Sequence, residues 1–125
     1  MMDYKQIGSF LRFTIRIPTL FNLTNEELVC LYKECLVMAE FVEDLSLILE
    51  CHFSLGILYT DTLCRYQDAK ESFEQALRVA LLLDDKETIC WMYCNLENVC
   101  RWCEEYDDAL KYCNKVLNLF SRKNT

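Results

Sequence analysis

The chain has 125 residues and is 53% hydrophobic, which is enough for one domain with a buried core. It contains 2 glycines and 1 proline. All-β folds and glycine-rich phosphate loops need more glycine, so helices joined by short polar turns are expected. The net charge of -7 argues against a nucleic-acid or anionic-membrane surface, because both attract clustered Lys and Arg.

Residues 1–24 form an N-terminal segment with a charge of its own. It holds one acid against Lys5, Arg12 and Arg16, a net charge of +2, whereas the remainder holds 19 acids and 10 bases. Arg12 and Arg16 interrupt its apolar run, so we expect no membrane span, and the order of a secretory signal is absent. The segment is compatible with a degenerate helix or, less well, with a mitochondrial presequence. The expected compartment is the cytoplasm.

Five helices are predicted in chain order after this segment. Thr24-Asn25-Glu26-Glu27 has the pattern of a capping box at the start of the first helix. Asp84 and Asp85 separate the third helix from the fourth. The predicted ranges are 26–42, 45–61, 66–83, 86–103 and 106–121, and residues 25–125 are predicted to form one helical domain.

An internal repeat organises these helices. Three stretches align without gaps from Leu28, Ala69 and Ala109, at spacings of 41 and 40 residues. Apolar residues recur in each stretch at i, i+4, i+7 and i+8, and after the first residue the aligned sets are Tyr32, Phe73, Cys113; Cys35, Ala76, Val116; and Leu36, Leu77, Leu117. One helical hairpin cannot bury its apolar face alone, whereas stacked hairpins share a core. The sequence therefore predicts an all-α solenoid of stacked antiparallel helix pairs, with about two and a half repeats.

The second helix pair contains Leu55-Gly56-x-x-Tyr59, followed by Tyr66, Ala69, Phe73 and Ala76. This set resembles the tetratricopeptide repeat signature, with one extra residue in the turn. The next unit repeats the pattern, but Glu97 replaces the usual glycine and Cys113 the usual aromatic residue. The period of about forty residues is similar to that of the Pins/LGN spindle-orientation adaptors and of rapsyn. The resemblance covers about residues 26–125 and implies a right-handed superhelix.

In that family, the first helix of each pair lines a concave groove that holds a peptide or helix of a partner protein. The resemblance therefore implies a non-catalytic adaptor. Its groove would be lined, by position, by Glu50, Phe53, Ile57, Thr60, Asp61, Trp91, Cys94, Asn98, Arg101 and Trp102. Large aromatics beside Arg and Asn are typical of a binding hot spot. The two tryptophans would alternatively only pack between helices or lie half-exposed, without a role in binding, and this interpretation stays open.

The expected partner is a protein segment, and the acidic chain favours a basic or amphipathic one. A related subfamily of these repeats grips the C-terminal carboxylate of chaperones. That function is disfavoured here, because Phe53, Ile57 and Cys94 occupy its polar groove positions and only Asn98 fits.

Nine cysteines raise the question of disulfides and metals. The odd count and the lack of a secretory signal favour reduced thiols. The strongest metal candidate is the set Cys90, Cys94, Cys100, Cys103 and Cys113. Cys100 and Cys113 occupy core positions of the repeat, so packing is the preferred interpretation and no metal or cofactor is expected.

Catalytic motifs do not stand out in this sequence. His52 is the single histidine and occupies an aromatic position of the repeat, so a packing role is expected for it. No glycine-rich loop precedes a helix, and no nucleophile lies in a recognisable strained turn. We therefore expect no enzymatic activity.

Self-association, or a place in a larger assembly, is the alternative function. Thr125 aligns with Asp44 and Asp85, so the sequence has no further helix after the last repeat. Solenoids generally need a polar cap. Val116, Leu119 and Phe120 are therefore expected to leave an apolar end face that favours a homo-oligomer.

Overall fold

The structure, a computed structural model, describes residues 22–121. These residues form five α-helices and no strand, which confirms the predicted all-α class: α1 (Asn25–Phe41), α2 (Leu45–Asp61), α3 (Tyr66–Leu83), α4 (Lys86–Trp102) and α5 (Tyr106–Ser121). Every predicted helix end lies within one residue of the observed one. The predicted N-terminal segment, 1–24, lies outside the described residues except for 22–24. Within 22–121, no helix is long and apolar enough to cross a bilayer.

Side-chain caps determine where three of the helices begin. The predicted capping box is present at α1: the Thr24 hydroxyl accepts a hydrogen bond from the Glu27 N–H, and the Glu27 carboxylate accepts one from the Thr24 N–H, both at 3.2 Å. Asp44 and Asp85 cap α2 and α4 in the same manner, each through a backbone N–H three residues further on. Each such cap contributes about 1 kcal/mol of stability.

Each of the four helix connections contains one non-glycine residue in the left-handed conformation. These residues are Glu43, Cys64, Asp84 and Glu104, with φ between 52° and 61°. They recur at the repeat spacing, because Glu43 and Asp84 are 41 residues apart and Cys64 and Glu104 are 40 apart. The repeat thus extends to the backbone conformation of the turns, and the chain reverses there without the usual glycine.

The helices pack in chain order, each against the next, as a helical repeat requires. The large residues of the predicted apolar face are buried in the first two copies, where they are Tyr32 and Phe73. In the third copy the prediction is wrong for Cys113, which is exposed. The position of Phe73 is covered by neighbouring helices, whereas no described helix follows α5 to cover Cys113.

A close contact between helices lies between Gly56 of α2 and Phe73 of α3. A Cβ atom added at Gly56 would lie 2.6 Å from Cε1 of the Phe73 ring, which is itself 1% exposed. The equivalent residues of the next unit are Glu97 and Cys113. In this unit the first helix, α4, therefore carries the larger residue, and the second helix, α5, carries the smaller one. This is the reverse of the arrangement of Gly56 on α2 and Phe73 on α3.

An ion network attaches α3 to the connection between α4 and α5. The Lys70 ammonium contacts the Glu105 carboxylate and lies 3.4 Å from Oδ2 of Asp108. Gln67 also donates a hydrogen bond to Glu105, at 2.8 Å. The Lys70 hydrogen bond, together with that from Gln67, lowers the pKa of the Glu105 carboxyl. The network therefore joins one helix pair to the next outside the apolar core.

We predict that Gly56→Ala destabilises the protein, although alanine is the better helix former by about 1 kcal/mol. The added methyl group would displace the buried ring of Phe73, and overpacking of this kind costs about 1–3 kcal/mol. Urea unfolding of the wild type, Gly56→Ala, Phe73→Leu and the double variant measures the coupling between the two sites. The destabilisation should shrink when Phe73 is already leucine. Equal effects of Gly56→Ala in both backgrounds would contradict the proposed contact.

Candidate functional site

The ten predicted groove residues lie on α2 and α4, and an aromatic contact connects the two helices. The ring of Phe53 on α2 lies 4.7 Å from the ring of Trp91 on α4, centroid to centroid, at an interplanar angle of 50°. Phe53 also lies 6.0 Å from the buried ring of Phe73 on α3. We call this surface the α2–α4 face, defined by Glu50, Phe53, Ile57, Thr60, Asp61, Trp91, Cys94, Asn98, Arg101 and Trp102.

The α2 part of the face is largely half-buried. Glu50, Phe53, Ile57 and Thr60 are each half-buried, and only Asp61 is exposed. The Thr60 hydroxyl donates a hydrogen bond of 2.8 Å to the carbonyl of Gly56 within the same helix, so its proton is already used. This part of the face offers apolar surface and the Asp61 carboxylate.

A shallow cavity of about 290 Å³ opens beside Phe53, Ile57 and Asp61. Its opposite wall includes Leu28 and Tyr32 of α1. The repeat alignment assigns Leu28 and Tyr32 to the core-facing side of their helix, so their place in the lining of this cavity was not predicted. The cavity extends the α2–α4 face toward α1.

The α4 part of the face is exposed and is bounded by two tryptophans. Trp91 is 56% exposed and Trp102 is 63% exposed. Each ring packs on an aromatic residue of another helix: Trp91 contacts Phe53, and Trp102 stacks on Tyr66 at 5.7 Å and an angle of 12°. Both tryptophans therefore pack between helices and are still more than half exposed. The stacking of Tyr66 on Trp102 was not predicted, although the repeat identifies Tyr66 as the aromatic residue at the start of α3.

The tryptophans lie eleven residues apart on one helix face. At 1.5 Å per residue, this separation is about 16 Å along the axis of α4. Cys94 and Asn98 lie between them on the same side of the helix, at spacings of three or four residues. The result is a strip with one aromatic ring at each end and small polar groups in the middle.

Arg101 is already engaged by residues of its own helix. Its Nε pairs with the Glu97 carboxylate at 3.0 Å, and its Nη2 donates a hydrogen bond of 2.6 Å to Oδ1 of Asn98. The oxygen of Asn98 is thereby used, so its amide nitrogen is the group that can donate to a ligand. The positive charge of Arg101 is offset locally rather than offered alone to a partner.

The cysteines do not assemble into a metal centre within the described residues. All nine thiols are free, and no group of three or more Cys, His, Asp or Glu side chains in 22–121 is arranged to hold a metal ion. Burial raises the pKa of Cys51 to about 12 and that of Cys100 to about 11. Partial burial and the neighbouring Cys90 raise the pKa of Cys94 as well. These thiols are therefore protonated near neutral pH.

A second cleft, which sequence reasoning missed, lies among α1, α2 and α3. It has a volume of about 210 Å³ and is lined by polar groups that include Lys33, His52, Asp68 and Glu71. Burial lowers the pKa of His52, and the Glu40 carboxylate opposes this shift in part. The imidazole is therefore neutral at pH 7, as a packing role requires.

No protein-family model matches the chain, and no curated protein matches it. The likeness to tetratricopeptide repeats consequently rests on the spacing of residues such as Leu55, Gly56 and Tyr59, and on a helix packing that is consistent with a helical repeat.

We predict that thiol reactivity follows burial. Alkylation by iodoacetamide at about pH 8, followed by peptide mapping, should modify the exposed Cys30, Cys64 and Cys113 first, because the thiolate is the reacting species. Cys51 and Cys100 should react only when the chain is unfolded in urea. Native modification of these two at the unfolded rate would contradict the buried core described above.

The titration of His52 should appear in the pH dependence of stability. Its folded pKa is depressed below the ordinary 6.5, so the unfolded chain binds a proton there that the folded chain does not. The free energy of unfolding is therefore expected to fall as the pH is lowered through 6.5, and to be fully retained above it. Urea titrations from about pH 7.5 to 5.5 measure this slope. The isosteric control His52→Gln should flatten it, and an equal slope in the control would contradict the assignment.

Proposed function

We propose that this protein is a non-catalytic adaptor of the tetratricopeptide type, whose α2–α4 face binds an extended or helical segment of a partner protein. The observation that carries the proposal is the pair Trp91 and Trp102, each more than half exposed at opposite ends of one helix face. A soluble protein gains little from two tryptophans in water, whereas tryptophan is among the residues enriched in binding hot spots.

Preorganisation supports the same proposal. Trp91 packs on Phe53 and Trp102 packs on Tyr66, so each indole is held on one side by another ring. A ring held in this way loses less rotamer entropy when a ligand covers it. The unstacked part of each ring remains available, and a buried indole contributes a large contact area. The strip is therefore suited to binding with little rearrangement.

The distance of about 16 Å between the tryptophans along α4 sets the spacing of the apolar residues that a ligand needs to contact both rings. An extended peptide advances about 3.3 Å per residue and its side chains alternate between two faces, so two apolar anchors on one face, about four or six residues apart, would come near both rings. A helical ligand would need anchors about eleven residues apart, which also share one helix face. Between the anchors, the Asn98 amide can donate a hydrogen bond to a carbonyl of the ligand.

The charge on the α2–α4 face favours a basic residue of the ligand near the C-terminal end of α2. Asp61 is exposed and is the last residue of α2, where the helix dipole adds negative potential. Arg101, the one cation among the ten residues of the face, is already paired with Glu97. The proposed ligand is therefore an amphipathic segment with two apolar anchors and a cationic side chain that contacts Asp61.

The two tryptophans make the proposal directly testable, because they are the 2 tryptophans of the whole chain. Peptides selected from a displayed random library should carry the anchor spacing described above, and their binding should shift the tryptophan emission of the protein. Fluorescence anisotropy of a labelled peptide then measures the affinity of the variants. Trp91→Ala and Trp102→Ala should each weaken binding by about tenfold, or about 1.4 kcal/mol, as expected for hot-spot residues.

Leu82→Ala is the matched control, since Leu82 is 73% exposed on α3 and is not part of the face. It should leave the affinity unchanged. Circular dichroism verifies that all variants keep their helices. Selected peptides that bind the two tryptophan variants as tightly as the wild type would refute the proposal, and so would a selection that yields no binder.

A further inference from the structure

Helix α5 carries two apolar stripes. The first comprises Ala109, Tyr112, Val116 and Leu119, which are buried or half-buried, and the last three of these pack against the core. The second stripe comprises Tyr106, Leu110, Cys113, Leu117 and Phe120, at alternating spacings of four and three residues. Its four large residues are each more than half exposed, and Cys113 is exposed.

This finding corrects the predicted composition of the end face. Val116 and Leu119 were expected on it, but they are half-buried against the core. Of the three predicted residues, Phe120 is exposed. The apolar pattern of α5 is wide enough for two contacts, and the contact with α4 uses the side that contains Val116 and Leu119.

The repeat identifies the exposed stripe as a stacking face. The equivalent positions on α3 are Tyr66, Lys70, Phe73, Leu77 and Ala80. These are buried or half-buried, and two of them contact the next helix pair: Tyr66 stacks on Trp102, and Lys70 pairs with Glu105. In the part of the chain that the structure describes, no further helix pair covers the corresponding face of α5.

The α5 face differs from the α3 face that the next helix pair covers. Leu110 occupies the position of Lys70, so α5 lacks the ammonium group that pairs with the acidic turn on α3. Phe120 occupies the position of Ala80, which is fully buried and allows a close approach. The face therefore differs from α3 both in charge and in the placement of its bulk.

The stripe has a palindromic order instead: aromatic, leucine, cysteine, leucine, aromatic. We propose that a second copy of this chain covers it, with the two α5 helices antiparallel about a two-fold axis at Cys113. In this arrangement Tyr106 meets Phe120 of the other copy, and Leu110 meets its Leu117. The small Cys113 lies opposite itself and lets the helices approach closely. A two-fold interface requires such self-complementarity, because each position pairs with its mirror position in the partner.

The charge distribution selects the antiparallel orientation. Asp107 and Asp108 occupy the first turn of α5. Antiparallel pairing separates these acidic turns of the two copies and also opposes the two helix dipoles. Parallel pairing would place like charges together. The self-association proposed here does not depend on the α2–α4 face.

Analytical ultracentrifugation of the full chain over a range of concentrations tests the proposal. A reversible monomer–dimer equilibrium is expected, and Leu117→Glu should raise the dimer dissociation constant at least about tenfold. Val37→Glu is the matched control, since Val37 is 66% exposed on α1, and it should leave the equilibrium unchanged. A chain that stays monomeric, or one that grows beyond the dimer, overturns the closed two-fold interface. Dissociation by Val37→Glu to the same degree also overturns it.

Thiol cross-linking tests the position of the axis. A short bis-maleimide reagent joins two nearby cysteines, because each thiol adds across the double bond of one maleimide ring. The dimer should be captured through Cys113 of both copies. Cys113→Ser should lose the cross-linked dimer while ultracentrifugation still detects the dimer. A dimer captured mainly through Cys30, Cys64 or Cys94, all exposed, would refute the antiparallel arrangement.

Discussion

The close contact between Gly56 and Phe73 is the constraint on which the rest of the structure depends. With no side chain at Gly56, the ring of Phe73 can enter the interface between α2 and α3. The same ring contacts Phe53, and Phe53 in turn contacts Trp91 on α4. One line of aromatic packing therefore leads from the centre of the core to the exposed surface. Because Gly56 has no side chain, the rings of Phe73 and Phe53 can pack together, and they support Trp91 on α4.

The same logic explains why the α2–α4 face can be ordered without a ligand. Exposed aromatic side chains on an isolated helix sample several rotamers, but Trp91 and Trp102 each have a ring of another helix to pack on. The polar groups between them are ordered by short-range contacts along α4, from Glu97 to Arg101 and from Arg101 to Asn98. The aromatic residues thus depend on the tertiary packing, while the polar residues depend on helical spacing alone.

The last helix that the structure describes, α5, differs from α3 in what covers its apolar stripe. Within the array, each apolar stripe is covered by the next helix pair, as Tyr66 and Lys70 of α3 are covered by residues of the second pair and its turn. On α5 the corresponding stripe is exposed and has changed its composition. A polar stripe would suit a surface in contact with water. An apolar stripe of palindromic order suits a partner with the same order, which is a second copy of itself.

The sequence by itself determined the class, number and bounds of the helices within residues 22–121, because apolar periodicity and capping residues are local signals. The capping box at Thr24 and the buried faces around Tyr32 and Phe73 followed from the same signals. Only the tertiary structure decided which apolar residues are covered. Cys113 and Val116 both belong to the periodic pattern, yet the first is exposed and the second packs against the core. Periodicity identifies a face that can be buried, whereas burial depends on a neighbour that is remote in the chain.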